Sequence, residues 1–338
     1  MQESKKLNVL ALIQAPYKSS SLPSNMNMKP PRTSTGVDKS SNSDHATSIP
    51  KWLFLLGFLS VGILSVQTSF GSFMKNDYTD SRSVAAVSQK ITSGSHPRTN
   101  AHLCPPKTPP SMEKTNLGSQ SGEDEILLQW FNGLCNGTYV EMGALNGIQF
   151  SNSLVFNREF DWSGLLVELA PDDYEKLKIN RPKDIAVHAA VCDKRQTIHY
   201  LSKRDGKSGS AVDGIYEFMS ESFRHAWWPG ISLDTKSDQI TEIECVPMND
   251  ILEQSPYTYY DFYSLDVEGA EFEVVQSIDF EKFSFGVILV EADGHNRRKN
   301  LALRTFVESK GYTFLMEDQR SYWFVNADFY NIYHELLH

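Results

Sequence analysis

Short apolar segments alternate with helix-patterned segments along residues 119–338, and this alternation constrains the fold more than any other feature of the sequence. Strands that are separated by helices form a mostly parallel sheet with helices on both faces. The segments that we predict as parallel strands are residues 139–142, 164–168, 185–191, 262–267 and 286–290. Two later segments, 312–316 and 322–325, are close enough in sequence to pair as an antiparallel C-terminal hairpin. The sequence therefore predicts an α/β fold.

Two of the intervening helices are predicted over residues 151–160 and 171–180. The second begins with Pro171, followed by Asp172 and Asp173 in its first turn. Proline and negative charge are both favoured at a helix N-terminus, so this boundary is well marked.

A glycine-containing turn follows the first predicted strand, with the sequence Glu141-Met142-Gly143-Ala144-Leu145-Asn146-Gly147. Glycine lets the backbone turn tightly and lie close to a ligand. The spacing differs from the G-x-G-x-x-G pattern that binds the pyrophosphate of a dinucleotide. A glycine turn preceded by a carboxylate suits a ligand that carries an ammonium group and no phosphate. Taken alone, the segment is explained equally well as an ordinary strand-to-helix turn.

Acidic side chains follow several of the predicted strands. Glu168 closes the second strand, Asp193 follows the third, and Asp266 lies at the end of the fourth. Ligands of open α/β sheets bind beyond the carboxyl ends of the strands, where an acidic group can accept hydrogen bonds from ribose hydroxyls. This series of strand ends predicts a nucleoside-type ligand, with Glu168 at the ribose and Asp193 at an adenine amine.

Five segments of the domain resemble the FkbM-type methyltransferase family: residues 139–144, 150–153, 162–168, 190–193 and 264–271. The most specific is the block Leu-Asp-Val-Glu-Gly-Ala-Glu at residues 265–271. The resemblance extends over about residues 120–330. It implies a Rossmann-like class I methyltransferase fold for residues 119–338, S-adenosylmethionine as the cofactor, and often a hydroxyl group of a sugar or natural product as the acceptor.

The resemblance also implies where the cofactor binds. Glu141 and Gly143 would line its methionine end, Glu168 its ribose and Asp193 its adenine. The full set of predicted cofactor-binding residues is Glu141, Gly143, Ala144, Asn146, Gly147, Ser151, Glu168, Asp193 and Asp266.

Methyl transfer to a hydroxyl requires positioning of the acceptor and a base that takes its proton. Asp266 is expected to face the methyl group, with Glu268 on the turn that follows. His295 is the favoured general base, because an unperturbed histidine titrates near neutral pH. Two alternatives remain open: His295 is a bystander on its loop, or Asp266, Asp293 and His295 together hold a divalent cation.

An insertion at residues 203–241 carries several glycines and five ring-bearing side chains, namely Phe218, Phe223, His225, Trp227 and Trp228. Aromatic groups beside polar ones bind flat acceptors such as sugars, which would make the insertion a lid hinged at its glycines. An ordinary helix with a buried aromatic face explains the same pattern equally well.

The N-terminal third has a different composition. Residues 52–74 contain no charged residue, so we predict a single transmembrane helix at residues 51–75, although its second half is only weakly apolar. A buried helix is the alternative. The flanking residues 1–50 and 76–118 are polar and are predicted to form a disordered tail and a disordered stem. Seven basic residues, counting Lys51, and three acidic residues precede the uncharged stretch that begins at residue 52, which favours a cytosolic N-terminus and a lumenal domain, as in a Golgi enzyme.

Charge and cysteine content limit the partners and the compartment. The net charge of −10 argues against a nucleic-acid partner, whose phosphates require a basic face. The four cysteines, Cys104, Cys135, Cys192 and Cys245, form no C-x-x-C pair, and either two disulfides or four thiols are compatible with them. Asn136-Gly137-Thr138 is an acceptor sequence for N-glycosylation.

Two functions are therefore predicted. The first is a membrane-anchored methyltransferase that acts on a hydroxyl group of a glycan or related small molecule. The second is non-catalytic: Star-type membrane-tethered proteins, which resemble this chain in topology and domain, escort secretory cargo.

Overall fold

The computed structural model describes residues 99–105, 117–131, 133–203, 211–292 and 294–337. The predicted tail, the predicted span at residues 51–75 and most of the predicted stem lie outside these ranges. Within the part of the chain that the structure describes, no helix combines the length and the apolar character needed to cross a bilayer.

The described residues form thirteen strands and eight α-helices. The strands are β1 His102–Leu103, β2 Leu134–Cys135, β3 Thr138–Met142, β4 Ser163–Glu168, β5 Ile185–His188, β6 Ala190–Val191, β7 Gln196–Leu201, β8 Gly214–Ile215, β9 Ile240–Val246, β10 Tyr259–Leu265, β11 Ser284–Glu291, β12 Tyr312–Asp318 and β13 Ser321–Asn326. The helices are α1 Glu123–Trp130, α2 Leu154–Glu159, α3 Pro171–Asn180, α4 Glu221–Trp227, α5 Met248–Leu252, α6 Glu271–Gln276, α7 Arg297–Ser309 and α8 Phe329–Leu337. A short 3-10 helix, Gly294–Asn296, precedes α7.

The main sheet has seven strands in the order β12-β13-β11-β10-β3-β4-β5. The five strands from β11 to β5 are parallel, and β13 pairs antiparallel with both β11 and β12. This is the predicted α/β fold of the Rossmann-like class I type, with its antiparallel C-terminal hairpin. The chain builds outward from β3 in one direction through β4 and β5, and in the other through β10 and β11. Ligands bind where the strand order reverses in this way, at the carboxyl ends of β3 and β10.

Both faces of the sheet are covered, because alternate side chains of each strand enter different cores. Val140 and Tyr263 belong to one buried cluster, whereas their neighbours Tyr139 and Phe262 belong to the other. All seven residues of β10 are buried, as expected for a central parallel strand. Packing of the central strands on both faces fixes the positions of their carboxyl ends relative to one another.

The predicted third strand is divided in the structure. β5 ends at His188, and residues 190–191 form β6 in a second sheet with the order β6-β9-β7-β8. The prediction of one strand over 185–191 was therefore wrong. The reason is nonlocal: β6 pairs in parallel with β9, more than 50 residues later, so the chain leaves the main sheet before it reaches Asp193.

The predicted helix over residues 151–160 is shorter than expected, since α2 begins only at Leu154. Ser151, Asn152 and Ser153 all donate hydrogen bonds to Glu141 and so stay outside the helix. The helix predicted at residues 171–180 is confirmed as α3.

Two disulfide bonds join the four cysteines, Cys104 to Cys135 and Cys192 to Cys245. The alternative of four free thiols is therefore wrong. The second bond holds the residue after β6 against β9, which reinforces the second sheet.

The insertion contains a helix with a buried aromatic face. Ser220 caps α4 by accepting a hydrogen bond from the Phe223 backbone N–H at 3.0 Å. Phe223 and Trp228 are buried in a small cluster with Leu201 and Met219. These two rings serve the packing of the second sheet, whereas His225 and Trp227 are exposed, so the lid stays a prediction. Gly206 and Gly209 lie outside the described residues.

Candidate functional site

A cavity lies at the carboxyl ends of β3, β4 and β10. It encloses about 920 Å³ of space, part of it open to solvent. The polar side chains along its wall are Gln120, Glu141, Asn152, Glu168, Tyr200, Asp213, Ser264, Asp266 and Glu268. The site thus occupies the position predicted from the strand order.

Gly143 brings the turn after β3 against the turn after β10. Its φ of +81° is in the left-handed region, and a Cβ built there would lie 1.8 Å from the backbone oxygen of Asp266. The backbone N–H groups of Gly143 and Ala144 both donate to the carbonyl of Val167, at 3.0 and 3.1 Å. No residue with a side chain fits this position, which makes Gly143 a structural requirement of the cavity wall.

Glu168 is placed to accept hydrogen bonds from a ligand. The side chain is buried, and its two carboxylate oxygens accept from the backbone N–H groups of Leu145 at 2.7 Å and Ala170 at 2.6 Å. Burial raises the pKa of Glu168 to about 7, although these two hydrogen bonds favour the ionised form. A carboxylate oxygen has a second lone pair, so each can also accept from a ribose hydroxyl.

Glu141 lines the cavity, as predicted, and its carboxylate also organises the neighbouring segment. Its fully buried carboxylate accepts hydrogen bonds from Ser151 Oγ at 2.8 Å, Ser153 Oγ at 2.5 Å and the Asn152 backbone N–H at 2.6 Å. Burial raises the pKa of Glu141, while the Arg181 guanidinium lowers it. Glu141 therefore holds the 151–153 segment in place beside the cavity.

Asn152, which the sequence did not single out, contributes an amide to the cavity wall. Its Nδ2 donates to Ser264 Oγ at 2.8 Å, which points its Oδ1 in the other direction. That Oδ1 is buried and accepts no hydrogen bond from any described residue. This oxygen lacks a hydrogen-bond donor and lines the same cavity as the carboxylates of Glu141 and Asp266. It can therefore accept a hydrogen bond from the ammonium group of a bound amino acid moiety.

A buried arginine, also missed from the sequence, supports the turn from behind. Arg181 donates from Nε to Asp184 at 2.9 Å, from Nη1 to the Gly147 carbonyl at 3.0 Å and from Nη2 to the Tyr139 hydroxyl at 2.6 Å. It also donates to Ser151 and Ser153. Apart from Asp184, three residues away, these partners are at least 28 residues from Arg181 in sequence, so no local pattern marks Arg181 as functional.

Four of the predicted cofactor-binding residues are not among those that line the cavity and instead contribute to the structure of the segment after β3. They are Ala144, Asn146, Gly147 and Ser151. Gly147 has a φ of +76°, and a Cβ there would lie 2.6 Å from the Arg181 side chain. Asn146 Oδ1 accepts from the backbone N–H groups of residues 148 and 149, and Ala144 is buried. Ser151 is buried against Glu141.

Asp193 is not at the cavity, which corrects the prediction for the adenine end. It is exposed on the surface, and its Oδ1 accepts from Gln196 Nε2 at 3.1 Å. The acidic residue that lines this end of the cavity is Asp213, near Ala190 and Val191. It accepts from the Tyr200 hydroxyl at 3.4 Å. Asp213 lies in the insertion, which is why the strand pattern did not reveal it.

Asp266 and Glu268 line the cavity as predicted. Glu268 has a φ of +56°, in the turn that leads from β10 to α6. Glu271 closes this turn, because its Oε1 accepts from the backbone N–H groups of Val267 at 3.1 Å and Gly269 at 3.0 Å. Burial raises the pKa of Glu271 to about 7, and the nearby Asp266 carboxylate adds to the increase.

His295 lies in a separate, smaller cleft. It is exposed, with Nδ1 3.3 Å from Ser222 Oγ and its ring edge-on to Phe223. Glu268 lines both this cleft and the main cavity. His295 lines the cleft but is not among the described residues that line the main cavity. His295 thus lies in a neighbouring cleft with Glu271 and Glu291, whose carboxylates are close to that of Asp266, and its role as the base stays a prediction.

The cation-binding alternative also changes. Asp293 lies outside the described residues. Asp266, Glu271 and Glu291 instead have carboxylate oxygens within 4.8 Å of one another. Glu291 is paired with Arg320 and Glu271 accepts two backbone hydrogen bonds, so much of this negative charge is already compensated.

Comparison with known proteins identifies a family. A family model described as the methyltransferase FkbM domain matches residues 141–314. No curated protein matched the sequence. Among solved structures, the chain is similar to the methyltransferase FkbM from Methylobacillus flagellatus KT, with 12% identity, a TM-score of 0.32, and coverage of 56% of this chain and 43% of that one. A TehB-like SAM-dependent methyltransferase from Corynebacterium glutamicum has 8% identity and a TM-score of 0.32 over 62% of this chain and 89% of that one.

Replacement of Gly143 by alanine should weaken cofactor binding. The added Cβ overlaps the Asp266 carbonyl and is strained at this φ, so the two turns must separate. We expect calorimetric titration of the full-length chain with S-adenosylhomocysteine to show at least a roughly tenfold weaker affinity. Gly294→Ala is the matched control, because a Cβ there meets open space. Equal affinities for the two variants would contradict this assignment.

Replacement of Arg181 by methionine should destabilise the domain by about 3–5 kcal/mol, since it leaves the buried Asp184 and Glu141 carboxylates without their cation. Urea denaturation measures the change. Lys183→Met removes the exposed pair with Asp161 and should leave the free energy of unfolding nearly unchanged. If both variants unfold at the same urea concentration, Arg181 does not organise the turn.

Proposed function

The chain belongs to the FkbM methyltransferase family, and from this membership we propose that it O-methylates a hydroxyl group of a glycan or related small acceptor. Methyltransferase activity with S-adenosylmethionine as cofactor follows from the family. The choice of a hydroxyl acceptor, and of a glycan in particular, is our proposal.

The observation that carries the proposal is the set of groups around one cavity at the switch point of the sheet. Glu168 presents lone pairs for ribose hydroxyls, and Asn152 presents a buried amide oxygen for the ammonium group. Asp213 lies at the opposite end, where an adenine amine would be recognised. These three groups match the three polar parts of S-adenosylmethionine, and Gly143 keeps the wall between them free of a side chain.

Asp266 is the proposed catalytic base. It lines both the cofactor cavity and an adjoining recess, so its carboxylate can reach an acceptor held between them. When bound, S-adenosylmethionine supplies an electrophilic methyl group on a sulfonium centre. Asp266 would accept the proton of the acceptor hydroxyl as its oxygen takes up this methyl group. Glu268, on the next turn, is the second candidate for this proton.

We further propose that the domain lies in the lumen of the secretory pathway, in the Golgi, and is anchored by the predicted span at residues 51–75. Two disulfides in one domain favour an oxidising compartment. Asn136 is exposed in the loop before β3, where a glycan can be accommodated.

The activity is tested by transfer of a radiolabelled methyl group from S-adenosylmethionine to a pool of released glycans by the full-length chain. Asp266→Asn should reduce turnover by about 10²–10⁴-fold, the range typical of a lost general base. Asp193→Asn is the control and should have no effect, because Asp193 is exposed outside the cavity. Cofactor binding without transfer to any acceptor would favour the Star-like escort role, and absence of cofactor binding would exclude an enzyme.

The lumenal location is tested through Asn136. When the full-length chain is expressed in animal cells, treatment with an endoglycosidase that removes N-linked glycans should increase its electrophoretic mobility. Asn136→Gln should have the higher mobility without treatment. Asn136 is preferred to Thr138 for this substitution, because the Thr138 hydroxyl is buried and donates to the Tyr259 carbonyl. Unchanged mobility of the treated wild-type chain would place the domain outside the lumen.

A further inference from the structure

A recess opens from the cofactor cavity on the side of Asp266. Gln120, Phe150, Asn152 and Asp266 line both spaces, so the two are adjacent. The recess is partly open, and together with the solvent space in front of it measures about 290 Å³. Asp266 borders both spaces. A molecule bound in the recess would therefore lie next to the end of the cavity at which we propose that the methyl group is transferred.

The walls of the recess come from the two ends of the domain. Arg320, in the loop between β12 and β13, donates from Nη1 to Gln120 Oε1 at 3.0 Å and is ion-paired through Nη2 with Glu291. The neighbouring Gln319 donates from Nε2 to the Ser121 carbonyl at 2.6 Å. These bonds join the C-terminal hairpin to the segment before α1, which gives the recess defined walls.

Phe150 lies at the mouth of the recess in a strained conformation. Its φ is +59°, a region that costs a non-glycine residue about 1–3 kcal/mol. Its position is fixed by an isolated parallel bridge to Ser119. The strain is not compensated by burial of the ring, because 38% of the residue is exposed. A strained residue that presents an open aromatic face beside a cavity is typical of a ligand contact.

The polar lining of the recess favours ligands that donate hydrogen bonds and disfavours ligands that carry negative charge. Glu123 and Glu291 add two carboxylates to that of Asp266, and Arg320 is the cation opposite them among the described lining residues. Arg320 is already engaged by Glu291 and Gln120. An anionic ligand would therefore meet net negative charge in a space partly shielded from solvent, whereas hydroxyl groups can donate to these oxygens.

We propose that this recess is the acceptor subsite, and that it takes an uncharged ring bearing several hydroxyl groups, with one face of the ring on Phe150. Acceptors that carry a carboxylate, sulfate or phosphate on the same ring are excluded. The assignment rests on the proposed function, and it replaces the aromatic insertion as the place where the acceptor binds.

The test measures binding of soluble ring compounds to the full-length chain in the presence of S-adenosylhomocysteine. The probes are methyl glycosides of neutral hexoses and the matched methyl glycosides of their uronic acids. Binding of each probe is measured by saturation-transfer NMR titration. We expect at least one neutral glycoside to bind, and its uronic acid counterpart to bind at least about tenfold more weakly, as one like-charge contact near 4 Å in a partly shielded site predicts.

Substitutions of Phe150 separate ligand binding from folding. Phe150→Gly removes the ring and also relieves the strained φ, so stability should be retained while glycoside affinity falls about two- to tenfold. Phe150→Tyr should retain affinity, because the aromatic face remains. Ile148→Ala is the matched control: Ile148 is comparably exposed, at 37%, two residues away, and does not line the described recess.

The outcomes distinguish this inference from the proposed function. Equal or tighter binding of uronic acids, no binding of neutral glycosides, or equal affinities for Phe150→Gly and Ile148→Ala would each overturn the acceptor subsite. Neutral glycoside binding that depends on Phe150, together with no binding of S-adenosylhomocysteine, would support the subsite and refute the methyltransferase.

Discussion

The contact between Gly143 and the carbonyl of Asp266 is the constraint on which the site depends. β3 and β10 are adjacent parallel strands at the centre of the sheet, and their end turns meet where no Cβ can fit. The same turn receives support from β4, because the Gly143 and Ala144 N–H groups donate to the Val167 carbonyl. Three neighbouring strands are thereby held to a common edge. The distances between Glu168, Asn152 and Asp266 follow from that edge, so a single glycine sets the geometry of the whole cavity.

Behind this edge, buried charge gives the turn one defined shape. Arg181 and Asp184 are paired at 2.9 Å with both side chains fully buried, and burial raises the pKa of Asp184 despite the arginine. Desolvation of such a pair is costly and its net contribution to stability is small unless the remaining donors are also satisfied. Here Arg181 also donates to the Gly147 carbonyl and the Tyr139 hydroxyl. Because its donors are satisfied in this way, the network supports the loop between β3 and α2, and loss of Arg181 would leave buried carboxylates uncompensated.

The sequence predicted the parts of the site that depend on local pattern. The strand ends at Glu141, Glu168 and Asp266 follow from apolar runs closed by an acidic residue, and the structure places all three at the cavity. Asp193 was misplaced because β6 pairs with β9 across a large sequence separation, which no local pattern records. His295 lies in the neighbouring cleft because the 3-10 helix after β11 turns towards α4 and Ser222. Asn152 and Arg181 escaped notice because most of the contacts that define their roles are with distant elements.

The division of the site also explains why family membership identifies the donor but leaves the acceptor open. The groups assigned to the cofactor, from Glu141 to Asp266, all lie inside the family match at residues 141–314. Gln120 and Arg320, which frame the recess, lie outside it on opposite sides. Asp266 connects the two halves with different atoms: its backbone oxygen packs against Gly143, and its side chain borders the recess. On the proposed assignment, the recess therefore combines Phe150, inside the matched segment, with Gln120 and Arg320, outside it.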